Sequence, residues 1–214
     1  MDVVVDNLDV FVEGMRTTVS LTVLSYAAAF VIGIVVAAFR VSPVPPLRAG
    51  GAFYVGTVRN TPLAVLMVLF FFALPDAGII FDTFPSAVIV LSAYTGAFVA
   101  ETVRSGVNSV AVGQGEAARA LGLTFPQTLR IVVLPQALRS VVGPLGSLFI
   151  ALIKNSALAA LIGLNELAGT AEQLISDTAQ PLPIFFGVAA AYLLLTLPSG
   201  FAVNRIERRF AIIR

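Results

Sequence analysis

Five stretches of the chain are apolar and long enough to cross a lipid bilayer as helices. Crossing the hydrocarbon layer takes about 20 apolar residues in a helix. Two of the stretches are uncharged throughout, and Arg59 and Lys154 lie well inside two others. No alternating strand pattern is present, and backbone groups in lipid must be paired within the segment, so the stretches predict helices. The predicted spans are 17–39, 51–74, 84–104, 135–158 and 182–204.

The composition supports lipid as the solvent of this chain. Of its 214 residues 58% are hydrophobic and 12% are charged, whereas soluble domains carry about 25% charged residues. Cysteine and histidine are both absent, which excludes disulfides, Ser-His catalysis and histidine metal sites. We therefore expect an all-α integral membrane protein with about five transmembrane helices in a single domain, residues 1–214, and no metal site.

The charges next to the spans predict an orientation. With five spans and the N-terminus outside, ten of the thirteen basic residues fall on the inner side, against Arg16 alone outside. The positive-inside rule then places the N-terminus outside and the C-terminus inside. Acidic residues also occupy the place where a signal peptide is basic, so Met1 to Arg16 is predicted to be a short mature tail. The ten inner residues are Arg40, Arg48, Arg104, Arg119, Arg130, Arg139, Arg205, Arg208, Arg209 and Arg214.

A long inner loop, residues 105–134, carries the most informative pattern. Gly113 and Gly115 are expected to let the chain turn before a short helix, with Glu116 in its first turn and Gly122 as its C-terminal cap. Pro126 is expected to open the next helix at its first position. Such a short helix is suited to lying in a cleft of another protein. The alternative is an ordinary amphipathic connector.

Glu116-Ala117-Ala118, then Gly122 and Leu134-Pro135 at matching distances, resemble the coupling segment of permeases in binding-protein-dependent ABC importers; Val132 stands where that family usually has Ile. Arg59-Asn60-Thr61-Pro62 is similar to a motif of polar amino-acid permeases. Many members of that family have Lys-Asn-Thr-Ser or Lys-Asn-Thr-Thr where this chain has Lys154-Asn155-Ser156-Ala157, so this chain lacks the last hydroxyl of that motif. The resemblance extends from about Thr17 to Arg209 and is strongest to glutamate uptake permeases of high-GC Gram-positive bacteria. Further matching segments are Ala93-Tyr94, Glu101, Arg104-Ser105-Gly106, Gly113-Gln114, Leu134-Pro135-Gln136 and Ile153-Lys154-Asn155-Ser156.

That resemblance implies a MetI-like permease fold in the bacterial cell membrane. It implies import of a polar amino acid, glutamate first and then aspartate or glutamine. It also implies a second permease subunit (a different one favoured over a second copy), two ATPase subunits that bind ATP and Mg, and an extracellular lipid-anchored binding protein. The residues implied in coupling to the ATPases are Gly115, Glu116, Ala117, Ala118, Ala120, Leu121 and Gly122.

Ionisable groups inside spans cost about 2.5–3.5 kcal/mol on insertion scales, so each one suggests a function. An Arg can hold a substrate carboxylate in a bidentate pair, with a Lys as a nearby point charge. The alternatives are that Arg59 and Lys154 snorkel to the membrane surfaces, and that Glu101 pairs with Arg104 or Arg119 instead of a substrate ammonium. The candidates for the substrate pathway are Arg59, Asn60, Thr61, Pro62, Glu101, Lys154, Asn155 and Ser156.

Other functions have little support in the sequence. No Gly-x-x-x-x-Gly-Lys-Ser/Thr phosphate loop is present, so the chain is not expected to hydrolyse ATP and needs no cofactor of its own. The basic C-terminal end is expected to anchor the chain to membrane lipid and not to bind nucleic acid. An intramembrane enzyme using Ser156 with Lys154 is formally possible, as is a membrane anchor or assembly factor without transport. No catalytic residue is predicted.

Overall fold

A computed structural model describes residues 2–210, and the regular structure of this part is helical with no strand. This confirms the predicted all-α class; Arg214, one of the ten inner basic residues, lies outside the described residues. The helices are α1 (Asp2–Asp6), α2 (Leu8–Val41), α3 (Pro45–Asn60), α4 (Leu63–Ala73), α5 (Thr83–Asn108), α6 (Val112–Ala120), α7 (Phe125–Gln127), α8 (Leu134–Asn155), α9 (Leu167–Thr178) and α10 (Pro181–Phe210). A π-helical turn (Thr128–Val133) precedes α8, and short 3₁₀ helices cover Pro75–Ala77 and Ser156–Ile162.

Four long helices build the bundle: α2, α5 and α10 run in the same direction, and the run that contains α8 runs against them. α2, α5, α10 and the continuous helical run Phe125–Ile162 are each long and apolar enough to cross a membrane. The end of α5 packs on the start of α8, where Gly106 faces Val141, and Gly143 of α8 faces Glu207 near the end of α10. We call the end of the bundle where α2, α5 and α10 finish the basic end, and the opposite end the acidic end.

The second predicted span is broken into two helices. α3 and α4 meet at an angle of 101°, where one span over 51–74, bent at Pro62, was expected. Pro62 accounts for the break, because the residue before a proline avoids helical geometry, and Thr61 is extended with φ −99° and ψ 131°. α4 has 11 residues and is about 16 Å long, too short to cross a bilayer alone.

Helical structure extends beyond the prediction in two places. α2 begins at Leu8, so most of the expected tail, Met1 to Arg16, belongs to the first long helix. α9 lies in the predicted outer segment between the fourth and fifth spans, and its buried face includes Leu167, Ala171 and Leu174. Pro144 and Pro198 lie inside α8 and α10, which continue as helices on both sides of them.

Small residues let the long helices approach closely. A Cβ on Gly96 of α5 would stand 2.9 Å from a methyl of Ile32 in α2, and one on Gly146 of α8 would overlap Val203 of α10. Ala97 and Ala100 are fully buried. The opposite surfaces expose large apolar side chains such as Phe186 and Phe201 of α10, about 70% exposed each, which suits contact with lipid.

Candidate coupling and solute sites

The short helix of the inner loop is α6, and its end has the geometry of a Schellman motif. The N–H of Leu123 donates to the carbonyl of Ala118 at 3.1 Å, and the N–H of Gly122 donates to that of Arg119 at 2.9 Å. Gly122 has φ +81°, a left-handed conformation in which glycine has no Cβ penalty. Its prediction as the C-terminal cap is confirmed.

The start of α6 differs from the prediction. The helix begins at Val112, so Glu116 lies in the second turn, and Gly113 and Gly115 lie inside the helix instead of turning the chain before it. A Cβ on either glycine would meet nothing within 4 Å in the described chain. A glycine inside a helix costs about 0.5–1 kcal/mol relative to alanine. Neither glycine is therefore explained by packing within this subunit.

The surface around α6 is open and partly apolar. Glu116, Ala117 and Ala120 are exposed, whereas Ala118 is buried against the rest of the chain. Leu121 and Phe125 just beyond the helix are 83% and 76% exposed. Exposed large apolar side chains beside a helix whose exposed residues are mostly small are typical of a surface that another protein covers.

The connection from α6 to α8 is held by local caps. The N–H of Thr124 donates to the side-chain oxygen of Gln127 at 2.8 Å, which is the backward arm of a capping box. The sequence predicts Pro126 at the first position of the next helix. In the structure α7 begins at Phe125, so Pro126 is its second residue. α7 continues through the π-helical turn directly into α8.

Three arginines converge on Glu101 near the basic end of the bundle. Arg40 from α2 and Arg104 from α5 both pair with its carboxylate, and Arg59 from α3 lies 3.8 Å away. The guanidinium of Arg59 also lies over the ring of Phe98, 5.0 Å from its centroid, a cation–π contact. The alternative pairing of Glu101 with Arg104 is confirmed, but its other partner is Arg40 and not Arg119. Since Arg40 is 61 residues from Glu101, the sequence offered no local signal for this pair.

An open pocket of about 380 Å³ lies beside this cluster. Among the three arginines of the cluster, Arg59 has the most exposed side chain, 38% against 19% for Arg40. Three guanidinium groups against one carboxylate leave an excess of positive charge at the pocket wall. The arrangement can bind a carboxylate through Arg59 while Arg40 and Arg104 keep Glu101 in place. The pocket is lined by Arg40, Ala52, Val55, Gly56, Arg59, Asn60, Phe98 and Glu101.

The neutral residues after Arg59 mostly serve their own helix. The Asn60 amide donates to the carbonyl of Gly56 at 2.7 Å, and the Thr61 hydroxyl donates to that of Thr57 at 2.9 Å. These bonds satisfy carbonyls at the end of α3, where helical partners are missing. Of the predicted neutral candidates Asn60, Thr61 and Pro62, Asn60 lines the pocket.

The second group of predicted pathway residues lies at the other end of the bundle. Lys154, Asn155 and Ser156 mark the acidic end of α8. Lys154 is exposed, and Ser156 is fully buried, with its hydroxyl donating to the carbonyl of Ile153 at 2.7 Å. The structure therefore does not bring Lys154 together with Arg59, and a Ser156 nucleophile activated by Lys154 has no support in this geometry.

Sequence reasoning missed a buried carboxylate that joins three helices at the acidic end. Glu166 is fully buried and precedes α9, where it accepts hydrogen bonds from the N–H groups of Ala168 (2.7 Å) and Gly169 (3.0 Å). The hydroxyls of Thr18 in α2 and Tyr192 in α10 also donate to it, at 3.2 Å and 2.6 Å. Burial raises the pKa of Glu166, and the four hydrogen bonds act in the opposite direction. An acidic residue directly before a helix was the available signal.

Comparison with known proteins places the chain in a family. The model of the family described as binding-protein-dependent transport system inner membrane component matches residues 29–212. The chain is 37% identical to the probable glutamine ABC transporter permease protein GlnM of Bacillus subtilis (strain 168), over 98% of this chain and 97% of the relative. It is 38% identical to the glutamate transport system permease protein GluC of Corynebacterium glutamicum, over 91% of each. The crystal structure of an amino acid ABC transporter with histidines superposes with a TM-score of 0.92 at 32% identity, over 96% of both chains.

The chain spans nearly the whole length of these relatives, and its helices are those of a solved amino-acid transporter. The expected permease fold and the expected multi-pass membrane location are both confirmed. The chain therefore belongs to the inner membrane components of binding-protein-dependent transport systems, and it is an amino-acid ABC importer permease and not an enzyme.

Proposed function

We propose that this permease carries glutamate into the cytoplasm and that ATP hydrolysis on separate subunits drives it through α6. In this proposal the basic end faces the cytoplasm and the acidic end faces outward, following the positive-inside rule. Glutamate is favoured because one close relative is a glutamate transport system permease protein and because positive charge is in excess at the pocket beside Arg59. Other relatives are glutamine and cystine permeases, so the competing solutes are other polar amino acids.

The observation that carries the coupling role is the open face of α6. Gly113, Gly115 and Gly122 have nothing within 4 Å of a Cβ position in the described chain, and Leu121 beside them is 83% exposed. A partner that packs closely on α6 would explain why glycine stands at positions 113 and 115, and it would also cover the exposed side chain of Leu121. Glu116, also exposed, would supply a charge to that interface. The partner proposed here is a nucleotide-binding subunit.

The partners follow from what the chain lacks. It carries no phosphate loop, so two ATPase subunits would bind ATP and Mg and would dock on the basic end. A second permease subunit, a different chain in preference to a second copy, would complete the pathway. An extracellular lipid-anchored binding protein would deliver the solute to the acidic end.

Uptake of radiolabelled glutamate into cells lacking and regaining the chain tests this function. We expect uptake to return with the chain, and unlabelled glutamate to compete better than aspartate or glutamine. Equal competition by glutamine would overturn glutamate as the preferred solute. Glu116→Lys should abolish uptake while the protein remains in the membrane, whereas Glu172→Lys on the exposed face of α9 should leave uptake unchanged. Normal uptake by Glu116→Lys would contradict the coupling role of α6.

A further inference from the structure

The loop that carries α6 joins α8 through a π-helical turn. The turn covers Thr128–Val133, and the N–H of Leu134 donates to the carbonyl of Leu129, five residues back instead of four. Turns of this kind are rare and occur mostly as single interruptions of α-helices, frequently at functional sites. α6 packs against this turn, and the turn leads directly into α8. A movement of α6 can therefore reach α8 through these six residues.

Pro135 gives the turn a physical cause. A proline inside a helix has no N–H to donate, and its ring clashes with the carbonyl four residues back, here that of Ile131. Pairing across five residues instead of four moves the backbone away from this clash. The same helical run contains two other prolines. Pro126 lies in its first turn, where no helical partner is available for an N–H, and α-helix continues on both sides of Pro144. Pro135 is therefore the proline whose missing N–H and ring clash fall on the π-helical turn.

Gln136 compensates for part of the disrupted pairing. Its side-chain amide donates to the carbonyl of Val132 at 2.9 Å, so this carbonyl has a partner inside the interrupted segment. Thr128, at the start of the turn, remains less well satisfied: it is 7% exposed, and its hydroxyl has no partner among the residues described. A buried hydroxyl without a partner is destabilising, and such a group in a native structure is often a sign of local strain. The turn is thus fixed by Gln136 at one end and carries an unsatisfied hydroxyl at the other.

We infer that the π-helical turn is the hinge through which α6 moves α8, and that Gln136 is a positioning residue that holds the hinge in its π form. This inference rests on the proposed coupling role of α6. A change between five-residue and four-residue pairing rotates everything before the turn relative to everything after it. Docked ATPases that favour one pairing would thereby shift α8, which packs on α5 and α10, between two discrete positions.

The test uses the whole transporter, isolated from its native membrane through a tag on this chain and placed in liposomes. Glutamate uptake and ATP hydrolysis are measured on the same sample, and their ratio is the readout. Pro135→Ala restores the N–H and relieves the clash, so it should favour regular pairing and lower the uptake per ATP about tenfold, the effect of a shift of about 1.4 kcal/mol. Pro144→Ala is the matched control and should keep the ratio of the unmodified protein.

Gln136→Met removes the donor without changing the length of the side chain, and it should lower the ratio as Pro135→Ala does. Gln136→Lys keeps an N–H donor on a flexible side chain, so its ratio of uptake to ATP hydrolysis should be much closer to that of the unmodified protein. The Gln136 variants decide the question if Pro135→Ala fails to accumulate. An unchanged ratio in Gln136→Met, with Glu116→Lys still inactive, would reject the hinge and leave the coupling role of α6 standing. An active Glu116→Lys would reject the coupling role itself.

Discussion

The hydroxyl of Tyr192 donates a 2.6 Å hydrogen bond to the carboxylate of Glu166. This bond ties α10 to the start of α9, and Glu166 in turn binds Thr18 of α2. The N-terminus of α9 contributes two N–H groups and a favourable dipole to the carboxylate. A buried acidic group at the acidic end is therefore satisfied by hydrogen bonds from three helices and without a basic partner among the described residues.

Tyr192→Phe should destabilise the protein by about 1–3 kcal/mol, because it removes a hydrogen bond to a charged group and leaves the carboxylate buried. The measurement is the temperature at which the protein loses its monodisperse elution in detergent. Tyr94→Phe is the same chemical change at a tyrosine of α5 outside this cluster, and a much smaller effect is expected. Equal melting of the two variants would show that the Tyr192 bond does not stabilise the helix junction.

Two adjacent glycines of α3 should respond differently to alanine. A Cβ on Gly51 would stand 2.9 Å from Cγ of Arg40, whereas one on Gly50 would meet nothing within 4 Å. Gly50→Ala should stabilise by about 0.5–1 kcal/mol through helix propensity. Gly51→Ala should gain less or destabilise, because it pushes on an arginine whose head group is held by Glu101. Thermal unfolding of both variants checks the difference, and a matching gain at both positions would contradict the packing of α3 on Arg40.

The sequence predicted the helical class and most long helices, because hydrophobic runs of bilayer length are a strong signal. It also predicted the cap at Gly122, since glycine after a short helix has a direct backbone reason. The break between α3 and α4 was harder to place. Pro62 indicated a bend, but apolar residues continue on both sides of it, and hydropathy alone treats them as one span.

What the sequence could not predict are the pairings between distant segments. Arg40 and Glu101 meet because α2 and α5 pack together, and the sequence of neither segment indicates which other segment it contacts. For the same reason Ser156 was grouped with Arg59, although it lies at the other end of the bundle beside the Glu166 cluster, where it is a polar neighbour of Tyr192. α9 was missed because its apolar face is shorter than a span and its remaining residues are polar.

Arg59 offers the most direct test of the proposed solute site. Arg59→Ala should raise the glutamate concentration needed for half-maximal uptake about ten- to a hundredfold, the effect of losing a charged hydrogen bond of about 1.5–3 kcal/mol. The maximal rate should change less, because Arg40 and Arg104 still hold Glu101 and so keep α2 and α5 aligned. Arg59→Lys keeps the charge but loses the planar fork of the guanidinium group. It should raise the concentration for half-maximal uptake less than Arg59→Ala does.

Arg48→Ala, an exposed arginine on the same helix, is the matched control and should leave the concentration dependence unchanged. The measurement is initial uptake against glutamate concentration at equal amounts of protein in the membrane. If Arg59→Ala and Arg48→Ala give the same curve as the unmodified protein, Arg59 only anchors α3 against Phe98 and Glu101. A solute carboxylate must then be held elsewhere, because Arg40, the other arginine in the pocket wall, is already paired with Glu101.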